Sequence, residues 1–185
     1  TEIVLEDELP PRQRERLEMV RSSTDHLQHI IDDILDISKI DAGQLQLNPE
    51  PVHLEEILRS SVDICLPAAH HKDQEVQLSL DKGLPPIVWA DPSRLRQVLI
   101  NLLSNAVKFT PPGGTIELAA TVRATTDAES TIRLEVRDSG IGIPPEQQEA
   151  VCESFTQSRN VAEGTGLGLA ITRHLVKLMK GRIWV

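Results

Sequence analysis

Two asparagines stand on one predicted helix in the segment INLLSNAVKFT, which is otherwise rich in Leu, Ile and Val. Asn101 and Asn105 are four residues apart, so their side chains share a helical face. An amide oxygen is a neutral ligand that suits Mg²⁺ when phosphates supply the other ligands. Lys108 follows one turn later and could direct its ammonium at the same phosphates. The alternative is a pair of solvent-facing asparagines, which helices tolerate but do not favour.

A carboxylate stands at the end of a predicted strand in the segment LEVRDSGIGIP. Asp138 could accept a hydrogen bond from an amino group such as the exocyclic amine of adenine. Gly140 and Gly142 would let the backbone come close to a ligand there. The pattern is weak by itself, because Asp and Gly are ordinary turn residues.

Three glycines at alternate positions lead into an apolar-periodic helix in the segment EGTGLGLAITRHL. A helix N-terminus presents unpaired N–H groups and a favourable dipole, which suit an anion such as phosphate. The segment is not a P-loop, since no Lys-Ser or Lys-Thr follows the last glycine, and its spacing is not that of a Rossmann fingerprint.

The composition narrows the classes of partner. The chain of 185 residues is 39% hydrophobic and 25% charged, which is typical of a soluble globular protein. Its net charge of −9 argues against nucleic-acid binding and against an anionic membrane surface, so a phosphate site must be local. Cys65 and Cys152 lack metal-ligand spacing and are expected to be reduced thiols. No apolar run has transmembrane length, and no signal peptide is apparent.

The first part of the chain predicts one long helix from Arg12 to about Ala42, ended by Gly43, with the segment TEIVLEDEL as the end of an earlier helix. Apolar or small residues recur in steps of three and four, as in a heptad seam. We expect this helix to belong to a hairpin that dimerises into a four-helix bundle. The seam residues are Leu17, Val20, Thr24, Leu27, Ile31, Ile34 and Ser38.

The remainder predicts an α+β domain, a two-layer α/β sandwich with one sheet face covered and one solvated. Helical patterns occur in HLEEILRSSVDICLPAAHHK, in PSRLRQVLINLLSNAVKFT, in PPEQQEAVCESF and after the glycine segment. Strand patterns occur in LQLNPEPVHL, EVQLSL, LPPIVWAD, TIELAATVRA and STIRLEVRDS, of which the last two form a hairpin across TTDAE.

Four segments in order resemble the asparagine, first glycine, phenylalanine and second glycine boxes of sensor histidine kinases: LRQVLINLLSNAVKFTPPGG, RLEVRDSGIGIP, ESFTQ and GTGLGLAI. The first section resembles the second helix of that family's dimerisation and phosphotransfer hairpin, most closely in ILDISKIDAG. The resemblance implies a Bergerat-type ATP-binding fold. It also implies a partial hairpin at residues 1–46 and a catalytic domain at 47–185 whose C-terminal end is truncated.

The resemblance assigns the nucleotide contacts. Asp138 would hold the adenine amino group, with Gly140 and Gly142 shaping the pocket. Asn105 would ligate Mg²⁺, while Asn101 and Lys108 would assist at the phosphates of ATP.

It also assigns a lid, from about Thr156 to Glu163, that would close over the triphosphate. Phe155 would anchor one end of this lid. Arg159 within it would pair with the phosphates or remain solvated. The hinge at the far end and the backbone cradle would be formed by Gly164, Thr165, Gly166, Leu167 and Gly168.

The implied activity is that of a protein-histidine kinase, which passes the γ-phosphate of ATP to a histidine and then to an aspartate of a response-regulator receiver domain. Related ATPases place a glutamate at position 101 to activate water, and an amide cannot act as a general base. Slow hydrolysis is therefore expected. The parent is expected to be a cytoplasmic homodimer, with any inner-membrane anchor outside these residues.

An acceptor histidine is missing, because none of the six histidines is followed by an acidic residue and Leu-Arg-x-Pro. His26 and His29 lie on the second hairpin helix, where solvent-facing or packing roles are expected. The acceptor is expected upstream of Thr1 or in an omitted stretch. The alternatives are a degenerate nucleotide-binding regulator and a hydrolysing ATPase of the gyrase or chaperone class, which Asn101 and the hairpin disfavour.

Overall fold

The computed structural model describes residues 10–126, 129–148 and 167–185. Its contacts divide the chain into two units, Thr1–Leu45 and Gln46–Val185. The functional division at residue 46 stays a prediction, since contacts alone do not assign a role to either unit.

The described part of the first unit contains one helix, α1 (Pro11–Asp41), which agrees with the predicted range. Pro11 suits its first turn because a proline there lacks only an N–H that would be unpaired anyway. Gly43 follows the helix with φ +63°, a left-handed conformation that glycine adopts without steric cost. The predicted preceding helix in TEIVLEDEL lies outside the described residues.

The second unit alternates strands and helices. In chain order its elements are β1 (Glu50–His53), α2 (Leu54–His70), β2 (Glu75–Leu80), β3 (Ile87–Ala90), α3 (Pro92–Phe109), β4 (Thr115–Thr125), β5 (Ser130–Asp138), a 3-10 turn (Pro145–Gln147) and α4 (Gly168–Leu178). The helix predicted in PPEQQEAVCESF is described only as far as this 3-10 turn and residue 148.

The described strands form two sheets. One has the order β2–β4–β5, in which β2 and β4 are parallel and β4 and β5 antiparallel. The β4–β5 pairing confirms the predicted hairpin. The other sheet is an antiparallel ribbon of β1 and β3 that the strand patterns did not separate from the first.

Helices α2 and α3 cover one face of the three-stranded sheet. Leu58 of α2 and Leu99 and Leu103 of α3 are fully buried with Leu118 of β4. This apolar burial drives the two layers together, because apolar surface removed from water is the main favourable contribution to folding. The mixed α/β sandwich expected from the sequence is therefore confirmed.

The other face of this sheet carries charged side chains. Arg137 bridges Glu135 and Glu117 across β4 and β5, with N–O distances of 3.0 and 3.3 Å. The Arg137 hydrogen bond holds the pKa of Glu135 below its usual range. Such exposed ion pairs contribute little to stability. Their position shows that this face of the sheet is solvated, as predicted.

Two simple expectations concern thiols and membranes. Cys65 is a free cysteine, and its burial raises the pKa of the thiol, whereas Cys152 lies outside the described residues. Among the described helices, none is both long and apolar enough to span a membrane.

The N-terminus of α3 gives a first testable prediction. Asp91 is buried, and its Oδ1 accepts from Arg94 N at 3.0 Å while its Oδ2 accepts from Asn48 N at 2.9 Å. We expect Asp91→Ala to lower the free energy of unfolding by about 1–3 kcal/mol, since both donors lose their partner. Urea unfolding measures the difference. Asp63→Ala on the exposed face of α2 is the control, and equal midpoints for the two variants would contradict the prediction.

Candidate functional site

Helix α3 positions the two asparagines because its other face is buried. Leu95, Leu99 and Leu103 recur every four residues in the core, so the asparagines two positions after Leu99 and Leu103 point away from it. Asn101 and Asn105 are both half-buried. The shared helical face predicted for them thus lies at the margin of the core.

Asn101 joins α3 to the start of α4. Its Nδ2 donates to Gly168 O at 3.2 Å and to Thr172 Oγ1 at 3.4 Å. The Gly168 carbonyl oxygen only accepts, so the nitrogen of the Asn101 amide must be the donor in this contact. Thr172 is fully buried, and this contact gives its hydroxyl oxygen a polar partner.

Gly168 is confined by that contact. A Cβ at this position would lie 3.1 Å from Asn101 Oδ1, closer than side chains ordinarily pack. Gly168 is also the first residue of α4, where the backbone N–H groups have no partner within the helix. The third glycine of the motif therefore serves close packing, and its role in an anion site stays a prediction.

Asn105 and Lys108 occupy the last turns of α3. The side chain of Asn105 makes no hydrogen bond to the described residues, so its oxygen is available to a ligand. Lys108 Nζ lies 5.1 Å from the centre of the Phe109 ring, a distance typical of a cation–π contact. Both polar groups stand near the end of α3 that approaches the glycine turn after β5.

That turn begins at Asp138, which is exposed at the end of β5. Its Oδ1 accepts from Gly140 N at 2.8 Å, and its Oδ2 accepts nothing from the described residues. A Cβ on Gly140 would lie 2.6 Å from Phe109 O and 2.5 Å from Asp138 Oδ1. Gly142 has φ +69°, which favours glycine. The turn is thus pressed against the end of α3.

The remaining predicted residues divide into two groups. Leu167 is described and buried, and its carbonyl accepts from Ile171 N in the first turn of α4. The lid from 156 to 163, which includes Arg159, lies outside the described part of the chain, as do four further site residues: Phe155, Gly164, Thr165 and Gly166.

Three polar residues near the site were missed from the sequence. Thr172 contacts Asn101, while Lys72 and Gln74 donate to carbonyls at the end of α3. Each contacts residues 33 or more positions away, so no local pattern signals it. Buried polar positions such as Gln74 and Thr172 become recognisable only once their burial is known.

The chemistry of this arrangement suits a ligand with an amino group at one end and anionic oxygens at the other. Asp138 offers a free acceptor, while Lys108 and the α4 N-terminus attract negative charge. No group of His, Cys, Asp and Glu in the described ranges could hold a metal ion without other ligands. The predicted role of Asn105 as a ligand of Mg²⁺, with phosphates supplying the other oxygens, stays a prediction.

Comparison with known families bears on this site. The model of the family "Histidine kinase-, DNA gyrase B-, and HSP90-like ATPase" matches residues 90–185, which include all the site residues. The model of the "His Kinase A (phospho-acceptor) domain" matches residues 1–43.

Similar curated proteins are sensor kinases. The chain is 40% identical over 189 residues to "Sensor protein GacS" of Pseudomonas syringae pv. syringae, covering 100% of this chain and 21% of that protein. It is 38% identical over 187 residues to "Signal transduction histidine-protein kinase BarA" of Escherichia coli K12, covering 99% and 20%. The chain thus spans about a fifth of the length of these relatives.

Solved structures share the architecture. Full-length ShkA in complex with AMPPNP matches with a TM-score of 0.75 and 34% identity, over 94% of this chain and 35% of that one. The catalytic domain of the histidine kinase ThkA matches with a TM-score of 0.61 and 28% identity, over 71% and 81%. The chain belongs to the sensor histidine kinases, within the wider family of histidine kinase-, gyrase- and HSP90-like ATPases.

The contact between Gly140 and Phe109 gives the second prediction. Gly140→Ala should lower the free energy of unfolding by about 1–3 kcal/mol, because its Cβ would collide with a backbone carbonyl. Gly83→Ala is the matched control, since its Cβ would meet the nearest atom at 3.6 Å. Urea titration of both variants measures the loss. Equal losses of unfolding free energy in the two variants would contradict the prediction, because the turn would then accommodate the added methyl group without destabilising the fold.

Proposed function

We propose that this chain binds Mg²⁺-ATP and serves as the catalytic core of a protein-histidine kinase. The observation that carries the proposal is the juxtaposition at α3. Its last turn abuts the Asp138–Gly140 turn, and its middle contacts the start of α4 through Asn101. An acceptor for an amino group and donors for phosphates therefore border one helix.

The adenine end is assigned to Asp138. Its Oδ1 is occupied by Gly140 N, which holds the carboxylate in place, and its Oδ2 remains to accept from the exocyclic amine. Gly140 and Gly142 leave the base room to approach the backbone. Guanine presents a carbonyl where adenine presents this amine, so the site should discriminate against GTP.

The phosphate end is assigned to Asn105, Lys108 and the N-terminus of α4, with Asn101 holding that N-terminus in place. Asn105 fits a magnesium site, because its amide oxygen is unengaged by the described residues and is a hard ligand. When bound, Mg²⁺ would neutralise charge on the transferring phosphoryl group. Lys108 and the helix dipole would add to that neutralisation.

The glycine segment is proposed to complete the site. Phe155 would anchor a lid over residues 156–163 in which Arg159 could reach the phosphates. Gly164, Thr165, Gly166, Leu167 and Gly168 would form its hinge and cradle. The buried Leu167 and the confined Gly168 support a firm point of attachment on α4.

Transfer is favoured over hydrolysis by the residue at position 101. Both donated contacts of Asn101 go to α4, and an amide cannot deprotonate water. The γ-phosphate would then be transferred to a histidine outside the nucleotide site. Catalysis would depend on positioning and on charge neutralisation.

Partners follow from the same reading. The ThkA structure in complex with response regulator protein TrrA has this fold, which supports a receiver domain as the onward acceptor. Homodimerisation through the hairpin at residues 1–46 is supported by half-exposed apolar side chains on α1, which are Val20, Leu27, Ile31 and Ile34. The catalytic domain would comprise 47–185 and face the cytoplasm.

Calorimetric titration tests the nucleotide site. The unmutated chain should bind ATP saturably, more tightly with Mg²⁺ and more tightly than GTP. Asp138→Asn should raise the Kd for ATP at least tenfold, on the order expected for the loss of one charged hydrogen bond. The same variant should reduce the preference for ATP over GTP. Asn105→Ala should remove most of the Mg²⁺ dependence, and Asp63→Asn is the control with unchanged Kd. Absence of binding by the unmutated chain would contradict the proposal.

Phosphate release separates transfer from hydrolysis. With saturating Mg²⁺-ATP and no histidine acceptor, steady-state release by the chain should not exceed that of the Asp138→Asn variant, because no general base is present at position 101. Release that depends on Asp138 would instead support the hydrolysing ATPases. The assay needs only the chain and a phosphate-sensing reporter.

A further inference from the structure

The turn between α2 and β2 brings two polar side chains to the C-terminal end of α3. Lys72, Asp73 and Gln74 follow His71, the C-cap of α2. Asp73 has φ 52°, a left-handed conformation that Asp tolerates better than most residues. Backbone hydrogen bonds from Lys72 N and Gln74 N to Ala69 O tighten the turn. The chain therefore reverses within a few residues.

Both side chains donate to the last carbonyls of α3. Lys72 Nζ lies 2.9 Å from Val107 O and 3.1 Å from Lys108 O. Gln74 Nε2 lies 3.0 Å from Val107 O and 2.6 Å from Thr110 O. Two side chains from one turn thus make four hydrogen bonds to the end of a helix.

These contacts give hydrogen-bond partners to carbonyls that the C-terminus of α3 leaves unpaired. The last four carbonyls have no partner within a helix, and the dipole there favours a cation. Lys72 supplies that cation, and Gln74, a residue only 4% exposed, adds a neutral amide donor. Gln74 Oε1 has no partner among the described residues, so donation is what this buried amide contributes.

The braced carbonyls flank the candidate site. Lys108 carries one of them, and Phe109 O, between the braced positions, forms the wall against which Gly140 packs. A shift of these carbonyls would move the Lys108 ammonium and the turn that presents Asp138. A displacement of about 1 Å is enough to matter in sites of this kind.

We propose that Lys72 and Gln74 are positioning residues for nucleotide binding, acting through the C-terminal turn of α3 and not by contact with the nucleotide. This inference rests on the proposed function. It differs from a purely structural role in requiring that the folded protein bind ATP less tightly when the brace is lost.

Two measurements on Lys72→Met test the proposal. Methionine keeps an unbranched side chain and removes the donors. The Kd for Mg²⁺-ATP, measured by calorimetry below the melting transition, should rise about fivefold to tenfold, as expected for losing charge-assisted hydrogen bonds. The Gly140 amide signal in a ¹H–¹⁵N spectrum without nucleotide should also shift, because its wall has moved.

Matched variants complete the test. Lys82→Met, on an exposed lysine of the β2–β3 connection, should leave both the Kd and the Gly140 signal unchanged. Lys72→Arg, which keeps a cationic donor, should restore most of the affinity. If Lys72→Met fails to fold, Lys72→Gln should bind with an intermediate Kd.

The outcomes separate the two proposals. An unmutated chain that does not bind ATP overturns the proposed function and removes the basis for this inference, even if the Gly140 signal shifts in Lys72→Met. An unmutated chain that binds, with unchanged Kd in folded Lys72→Met or Lys72→Gln, overturns the positioning role alone. A lower melting temperature with an unchanged Kd likewise assigns Lys72 to stability only.

Discussion

Helix α3 is held at both ends by side chains from distant parts of the chain, and the candidate site depends on that restraint. Asp91 caps its start and also binds Asn48 N, while Lys72 and Gln74 cap its end. Between the ends, Asn101 contacts the first turn of α4. A helix so restrained keeps its polar residues in one register against the sheet, which is what a precise site requires.

The proposed site would also explain how an acidic chain can receive a polyanion. With a net charge of −9, the protein has no general attraction for phosphates. In the proposed site, Lys108 and the N-terminus of α4 would attract the phosphates, and Asn105 would supply a neutral oxygen to Mg²⁺. The single carboxylate, Asp138, stands where an amine is expected. Neutral amides at positions 101 and 105 would avoid repulsion of the phosphates and would leave no base there to activate water. A site of this composition would thus retain a triphosphate more readily than hydrolyse it.

Much of the secondary structure could be predicted because its causes are local. Pro92 at the first turn and leucines every four residues define α3, and alternation across a short loop defines β4 and β5. The pairing of β2 with β4 could not be predicted in this way, nor could the separate β1–β3 ribbon. Those pairings join strands that are not adjacent in the chain, and burial of the intervening helices selects among them.

The sequence by itself determined the types of chemical group, their order and the resemblance to sensor histidine kinases, because motifs record which side chains are available. Only the tertiary structure decided which groups meet. It directed the Asn101 amide to Gly168, 67 positions away, and set the Lys72 ammonium on the end of α3, 35 positions away. Hydrogen bonds over such separations form only after the core has packed, since packing brings the partners within reach and excludes the water that would otherwise compete.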